Sequence, residues 1–270
     1  MSISSVRPKP REPAPPTAPD LRALRRSRRR FRIATIVLAI LIGLPALTIM
    51  TVLLALNPIV RVKLEALAES ALKVPVAIDH ARVNLPGGVH LYHPAIGNPR
   101  PFKEVRAFRL ERVDAAITLP SLFSSTIDVQ DLLLVNPELI LEFDGTRTNW
   151  GALFDNLAAA GREAPKGAGK KFIIRRVRMV HPVVIIRSTL IPQGAALHLR
   201  DIALESVGTA PGSETPTHLV LAAIFQALLT GAINEWSGVP GELSATLEKD
   251  VSRAARPFKE VLSPPKKKKK

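Results

Sequence analysis

The 270-residue chain contains no cysteine, which excludes disulfides, thiolate chemistry and Cys-ligated zinc. A domain built from it must be stable without covalent staples. Aromatic residues make up only 4%, too few for a core dominated by ring packing. Charge is scarce where a nucleic-acid-binding domain would need it. The net charge is +15, yet residues 1–32 hold ten Lys and Arg against Glu12 and Asp20, the last five residues are all Lys, and everything between carries only +2. The basicity belongs to two tails rather than to a folded face, so nucleic acid is not the expected partner. Recognisable chemistry is missing too: there is no nucleophile elbow, no phosphate-binding loop and no His-Glu zinc helix. His90 and His93 stand three apart on a strand and point to opposite faces. No catalytic residue, metal or cofactor is assigned, and enzymatic activity is not expected.

What is present begins with a long apolar run. Ile33 to Leu56 is 24 residues without a charge, long enough at about 1.5 Å per residue to cross a hydrocarbon core of ~30 Å. Seven Arg lie between Arg22 and Arg32, against Arg61 and Lys63 just after the run. The positive-inside rule places the N-terminus in the cytoplasm and the rest of the chain across the membrane. Five segments are expected: a disordered basic tail over 1–32, a transmembrane helix over 33–56, a β-rich domain over 57–208, a helical segment over 209–262, and a disordered polylysine tail over 263–270.

The β-rich domain is organised around Ile127 to Trp150. Ile127 and Val129, then Leu132 and Leu134, alternate with polar residues; after Asn136-Pro137, Leu139, Leu141 and Phe143 share one face. A period of two gives one wet and one apolar face. The same layout returns 45 positions later. Phe172 to Arg187 lies on Ile127 to Glu142 without a gap, His181-Pro182 falls on Asn136-Pro137, and Val177, Met179, Val184 and Ile186 take the apolar positions. GVHLYHPAI, Gly88 to Ile96, is a looser third copy with His93-Pro94. Repeats that cannot bury an apolar face alone point to a stacked, elongated sheet. Further strands are expected over Val74 to Leu85, Ala107 to Leu119 and Ala196 to Leu204, the last with a bulge near Asp201. Thr148 or Asn149 caps a helix carrying Trp150, Leu153, Phe154 and Leu157 on one face. Leu219 to Leu229 reads as a buried helix too short to span a bilayer. Leu243 to Val261 reads as an amphipathic helix that Pro257 kinks or interrupts.

The expected fold is therefore mainly β with flanking helices: an N-terminal transmembrane helix, a curved, elongated antiparallel sheet forming a groove or half-barrel, and C-terminal helices. One apolar face must be hidden. It is either an ordinary core closed by helices or an open trough suited to acyl chains, with Leu132, Leu134, Leu139, Leu141, Phe143, Val177, Met179, Val184 and Ile186 as lining candidates.

The order of marks resembles the N-terminal module of the AsmA-like family. These marks are a membrane helix, then Asn98-Pro99 and Phe102, the strand Phe108 to Leu119, the Ser121-Leu122 turn, Asn136-Pro137, and a Thr-Asn before an amphipathic helix. The resemblance implies an inner-membrane anchor, a periplasmic β-rich groove, and a part in envelope lipid homeostasis or phospholipid transfer to the outer membrane. Some eight strands at ~4.8 Å would give a groove of only ~40 Å, too short to bridge the periplasm alone. Membrane phospholipids are the expected partners. The alternative is a non-catalytic assembly factor that holds an envelope protein partner through its sheet edges or the helix near 241–262.

Overall fold

The computed structural model describes residues 40–44, 47, 51, 57–84, 87–164, 170–207, 214–236 and 240–261. The chain divides into two compact units, Met1–Thr51 and Val52–Lys270. In the first, residues 40–44, 47 and 51 are helical, and Ile40, Leu41, Ile42, Leu44 and Leu47 are exposed. The remainder of the expected 33–56 span, and the expected tails at 1–32 and 263–270, lie outside the described residues. All that follows concerns the second unit.

Its strands come in pairs, each pair one ribbon of chain crossing two sheets. The ribbons are β1 (Val76–Ala77) with β2 (His80–Asn84), β3 (Gly88–Tyr92) with β4 (Ala95–Gly97), β5 (Arg106–Arg109) with β6 (Arg112–Ile117), β7 (Thr126–Val135) with β8 (Glu138–Phe143), β9 (Lys171–Val180) with β10 (Val183–Ser188), and β11 (Ile191–His198) with β12 (Ile202–Val207). One sheet has the order β1-β4-β5-β8-β10-β11, the other β2-β3-β6-β7-β9-β12, with β13 (Thr215–Pro216) added to β9. The two orders match ribbon for ribbon. The fold is a six-ribbon sheet creased across its middle and open at both edges.

The crease explains three expectations that fail in detail. Val74 to Leu85, Ala107 to Leu119 and Ala196 to Leu204 are not single strands; each breaks, at Ile78-Asp79, Leu110-Glu111 and Leu199 to Asp201. The other three ribbons bend at the His-Pro and Asn-Pro positions. His93, Asn136 and His181 have φ of 49°, 50° and 52°, in the left-handed region that redirects the chain. The following proline fixes its own φ and needs no ladder partner for a missing N–H. Hydrogen bonding continues through the bend: His93 N donates to Glu111 O, Glu111 N to Val135 O, Asn136 N to Val180 O, and Val183 N to Pro137 O.

The sheet is mixed, not antiparallel as expected. β7 and β9 run parallel, as do β8 and β10. The helix α2 (Asn149–Glu163) returns the chain between them, the crossover that parallel pairing requires. The 45-residue sequence repeat is this pairing itself, since Ile127 faces Phe172, Leu134 faces Met179, and Leu139 faces Val184. Because twelve of the strands fold into six ribbons, the edge ribbons are about 24 Å apart at ~4.8 Å per ribbon, short of the ~40 Å expected from strands laid side by side.

The inner face is apolar across its full width. One row reads Ala81, Leu91, Val113, Leu134, Met179, Ile202, and another, beyond the crease, reads Val76, Ile96, Phe108, Leu139, Val184, Leu197. The helix at 57–72, here α1, protects the first edge. Asn57, Glu65 and Glu69 accept from the backbone N–H of Val83, Ile78 and Val76 at 2.8, 2.8 and 3.0 Å, and Arg61 donates to Asp79 O at 3.1 Å. These four lie at intervals of four on one helix stripe and satisfy an edge that would otherwise pair with another chain.

α3 (Thr217–Glu235) and α4 (Gly241–Val261) complete the cover with α2. α3 extends well beyond Leu219 to Leu229, and among the described residues it is the one helix long and apolar enough to cross a membrane. Here it packs on β9, β10, β12 and β13 and between α2 and α4, with Phe225, Leu228 and Leu229 fully buried. α4 continues through Pro257 rather than breaking there; a proline near the end of a helix forfeits one hydrogen bond with few turns beyond it to lose.

The crease makes a direct prediction. His181 is exposed, and its backbone N donates to Asp201 Oδ1 at 2.9 Å. His181→Gly removes the left-handed penalty, whereas His181→Val, β-branched, should cost about 1–2 kcal/mol. Urea unfolding checks this: a valine variant as stable as the glycine variant would mean that the corner does not hold the strained conformation.

Candidate ligand groove

The creased inner face is not uniformly covered. Between α1, α3 and the first five ribbons lies a cavity of about 270 Å³. α1 contributes Val60, Leu64, Leu67 and Ala68. The sheet contributes Ile96, Phe108, Leu91, Val113, Ile127, Val129, Leu132 and Leu134 among others. α3 contributes Thr217, Val220, Leu221, Ile224 and Phe225, a stripe at i, i+3, i+4, i+7 and i+8. Apart from Thr217 every lining side chain is apolar, so the groove offers area and no polar recognition.

Leu132 and Leu134 of the nine lining candidates border this cavity. Leu139, Leu141, Phe143, Val177, Met179, Val184 and Ile186 do not. They are 0–2% exposed and belong to a packed core under the helices. Open trough and closed core are both present, at opposite ends of the same face. α1 is the lining element that alternation along the strands could not reveal, although Val60, Leu64 and Leu67 are visible as a helical stripe.

The two ends of the groove differ. At the rim away from the crease, Leu122 and Phe172 are half-buried, and Phe123, next to Leu122, is 77% exposed. Lys170 ties this rim together: its Nζ donates to the carbonyls of Leu122 and Ser124, and its own carbonyl accepts from Thr217 Oγ1 at 3.2 Å. Toward the crease, Phe108 and Phe225 are buried, with ring centroids 5.2 Å apart, and Trp150 stands 4.6 Å from Phe225 and 6.4 Å from Phe108. Trp150 Nε1 donates to Ile140 O at 2.9 Å, which satisfies the indole inside this cluster.

The residues that carried the family resemblance are structural. Asn149 accepts from Glu142 N and donates to Ile140 O and Asn98 Oδ1, while Asn98 Nδ2 donates to Glu142 Oε2 at 2.9 Å. The Glu142 carboxylate also accepts from the backbone N–H of Lys103 and Glu104. Thr148 is the cap of α2, accepting from Gly151 N at 2.8 Å.

Two further cavities hold no comparable site. A polar one of about 460 Å³ lies by the crease; most of its charged side chains have partners, since Arg109 grips Glu138 with two bonds of 2.8 Å, His93 Nδ1 lies 3.2 Å from Asp79, and Asn136 donates to Glu111 at 2.6 Å. The other, about 290 Å³, separates α2, α3 and α4. Among the described residues no three His, Asp or Glu side chains gather to hold a metal. No family model, curated protein or solved structure matches the chain.

The helical cover is pinned at one buried acid. Asp250 on α4, 5% exposed, accepts from Thr148 Oγ1 at 2.7 Å. A Cβ at Gly151 would stand 2.6 Å from Asp250 Oδ2, so only glycine permits this approach. Burial pushes the Asp250 carboxyl above its ordinary value, against the opposing pull of Thr148 and Arg253. A carboxyl raised in the folded state holds its proton more tightly there. Its contribution to stability is full below the unfolded value of about 3.9 and is lost as pH rises through the folded value. Asp250→Asn keeps an acceptor for Thr148 without the charge. Its urea midpoint relative to wild type should therefore rise between about pH 4 and neutrality; a flat or falling difference would remove Asp250 as a buried titrating group.

Proposed function

We propose that this protein is a single-pass inner-membrane protein of the AsmA-like type whose folded domain lies in the periplasm and takes up phospholipid acyl chains in its groove, contributing to envelope lipid homeostasis or phospholipid transfer. The observation that carries this reading is the cavity whose lining, Thr217 aside, is wholly apolar. Such a site has nothing to offer a polar metabolite, and burial of hydrocarbon at about 25 cal/mol per Å² is its one source of affinity. The apolar run at 33–56 and the arginines before it support an anchor with the N-terminus in the cytoplasm. The chain enters the groove-lining helix within a few residues of that run. The order of family marks supports the same assignment.

A partner-holding role is the second reading, and one observation favours it. α1 covers the β1–β2 edge, but among the described residues no strand pairs with the outer side of β11 and β12. The helix near 241–262 does not favour it, because Leu243, Leu247 and Ala254 are already buried.

The test is lipid retained by the full-length protein purified in detergent, measured by mass spectrometry. Wild type should carry stoichiometric phospholipid. Val113→Asp and Leu132→Asp, in the half-buried groove lining, should lose at least about tenfold of it with unchanged circular dichroism, because a carboxylate cannot be desolvated there without loss. Leu139→Asp, in the packed core, should lose the fold instead. Lipid-free wild type, or groove variants that keep their lipid, would overturn the reading and turn attention to the β11–β12 edge.

A further inference from the structure

The groove ends on aromatic rings, and this deepens the lipid reading on which it rests. In the sheet row Val76, Ile96, Phe108, Leu139, the first three side chains lie on the groove's half of the face and Leu139 in the sealed core. Phe108 is the last of the row to touch the cavity. On α3, Phe225 is likewise the last lining residue; one turn on, Leu228 and Leu229 are fully buried. The two rings meet edge to face at 5.2 Å, an interplanar angle of 75°, and Trp150 backs them with its ring 4.6 Å from Phe225. Edge-to-face rings backed by a satisfied indole form a close-packed wall.

From this we infer that Phe108 and Phe225, braced by Trp150, form the stop of an acyl-chain ruler. A single hydrocarbon chain enters from the Leu122–Phe172 rim, tail first, and its methyl end halts against these rings. The cavity of about 270 Å³ sets a finite limit on the length of hydrocarbon that the groove can bury. Because the lining has one hydroxyl and no charge, the headgroup stays outside, and selection acts on tail length rather than headgroup chemistry.

Phe108 and Phe225 are thus specificity-determining residues, and the readout is a length profile. Each buried methylene adds about fourfold in affinity (~0.8 kcal/mol). For full-length protein incubated with a mixture of saturated fatty acids from octanoate to stearate, native mass spectrometry should show occupancy climbing by about this factor per methylene and then reaching a plateau at the stop. Phe225→Ala opens space behind the stop, so the climb should continue to longer chains. Phe225→Leu, gentler on the core, should shift the plateau in the same direction by less. Val113→Phe narrows the middle of the groove and should bring the plateau to shorter chains.

The outcomes separate the two claims. No fatty acid adduct on folded wild type would sink the lipid reading and the ruler together. Adducts whose occupancy climbs through stearate without a plateau would overturn the ruler and leave the lipid reading standing. A plateau that folded Phe225→Leu and Val113→Phe both leave unmoved would do the same.

Discussion

The structure depends on one constraint: an apolar sheet face with more width than its helices can cover. A flat six-ribbon sheet would need cover along its whole face. The crease bends the ribbons so that residues of both sheets join one buried core. It is made with three residues in the left-handed conformation, each before a proline, and with hydrogen bonds that pass across the bend without interruption. Backbone strain of order 1–2 kcal/mol at each corner is small against the apolar area the fold removes from water.

The same constraint explains the division of the inner face into core and groove. The α2–α4 layer packs on β8, β9, β10, β12 and β13. It sits over the last ribbons, where Met179, Val184 and Ile186 are fully buried. α1 is committed to the first edge through its ladder of Asn57, Arg61, Glu65 and Glu69. The interval between the two is the cavity.

The sequence made the ribbons legible, and more of the pairing than it first seemed. The offset of 45 between two similar stretches is the register of β7 with β9 and of β8 with β10. What the alternation could not show was which strands lie under helices. Leu132 and Leu139 both take apolar positions in the pattern, on either side of the Asn136-Pro137 corner, yet one borders a cavity and the other is sealed. That difference is set by the helices: α3, 85 to 93 residues away in the chain, lines the cavity with Leu132, and α2 packs on β8. Parallel pairing was hidden for a related reason: alternation reports the face of a strand and is blind to its direction.

An apolar cavity of this size is costly to keep empty. Apolar lining left facing water forfeits the roughly 25 cal/mol per Å² that burial returns. Side chains large enough to fill it were available at no cost to the alternation, since Ala68, Ala115 and Val113 all line it and all accept larger apolar replacements in pattern. Ala68 and Ala115 keep the wall small, and Phe108 and Phe225 stand where the lining meets the packed core. On the proposed reading, hydrocarbon from the ligand supplies the packing that the chain withholds, so the occupied state is the well-packed one and the empty state carries the penalty. Binding and stability are then one quantity in this fold, linked through the same buried area.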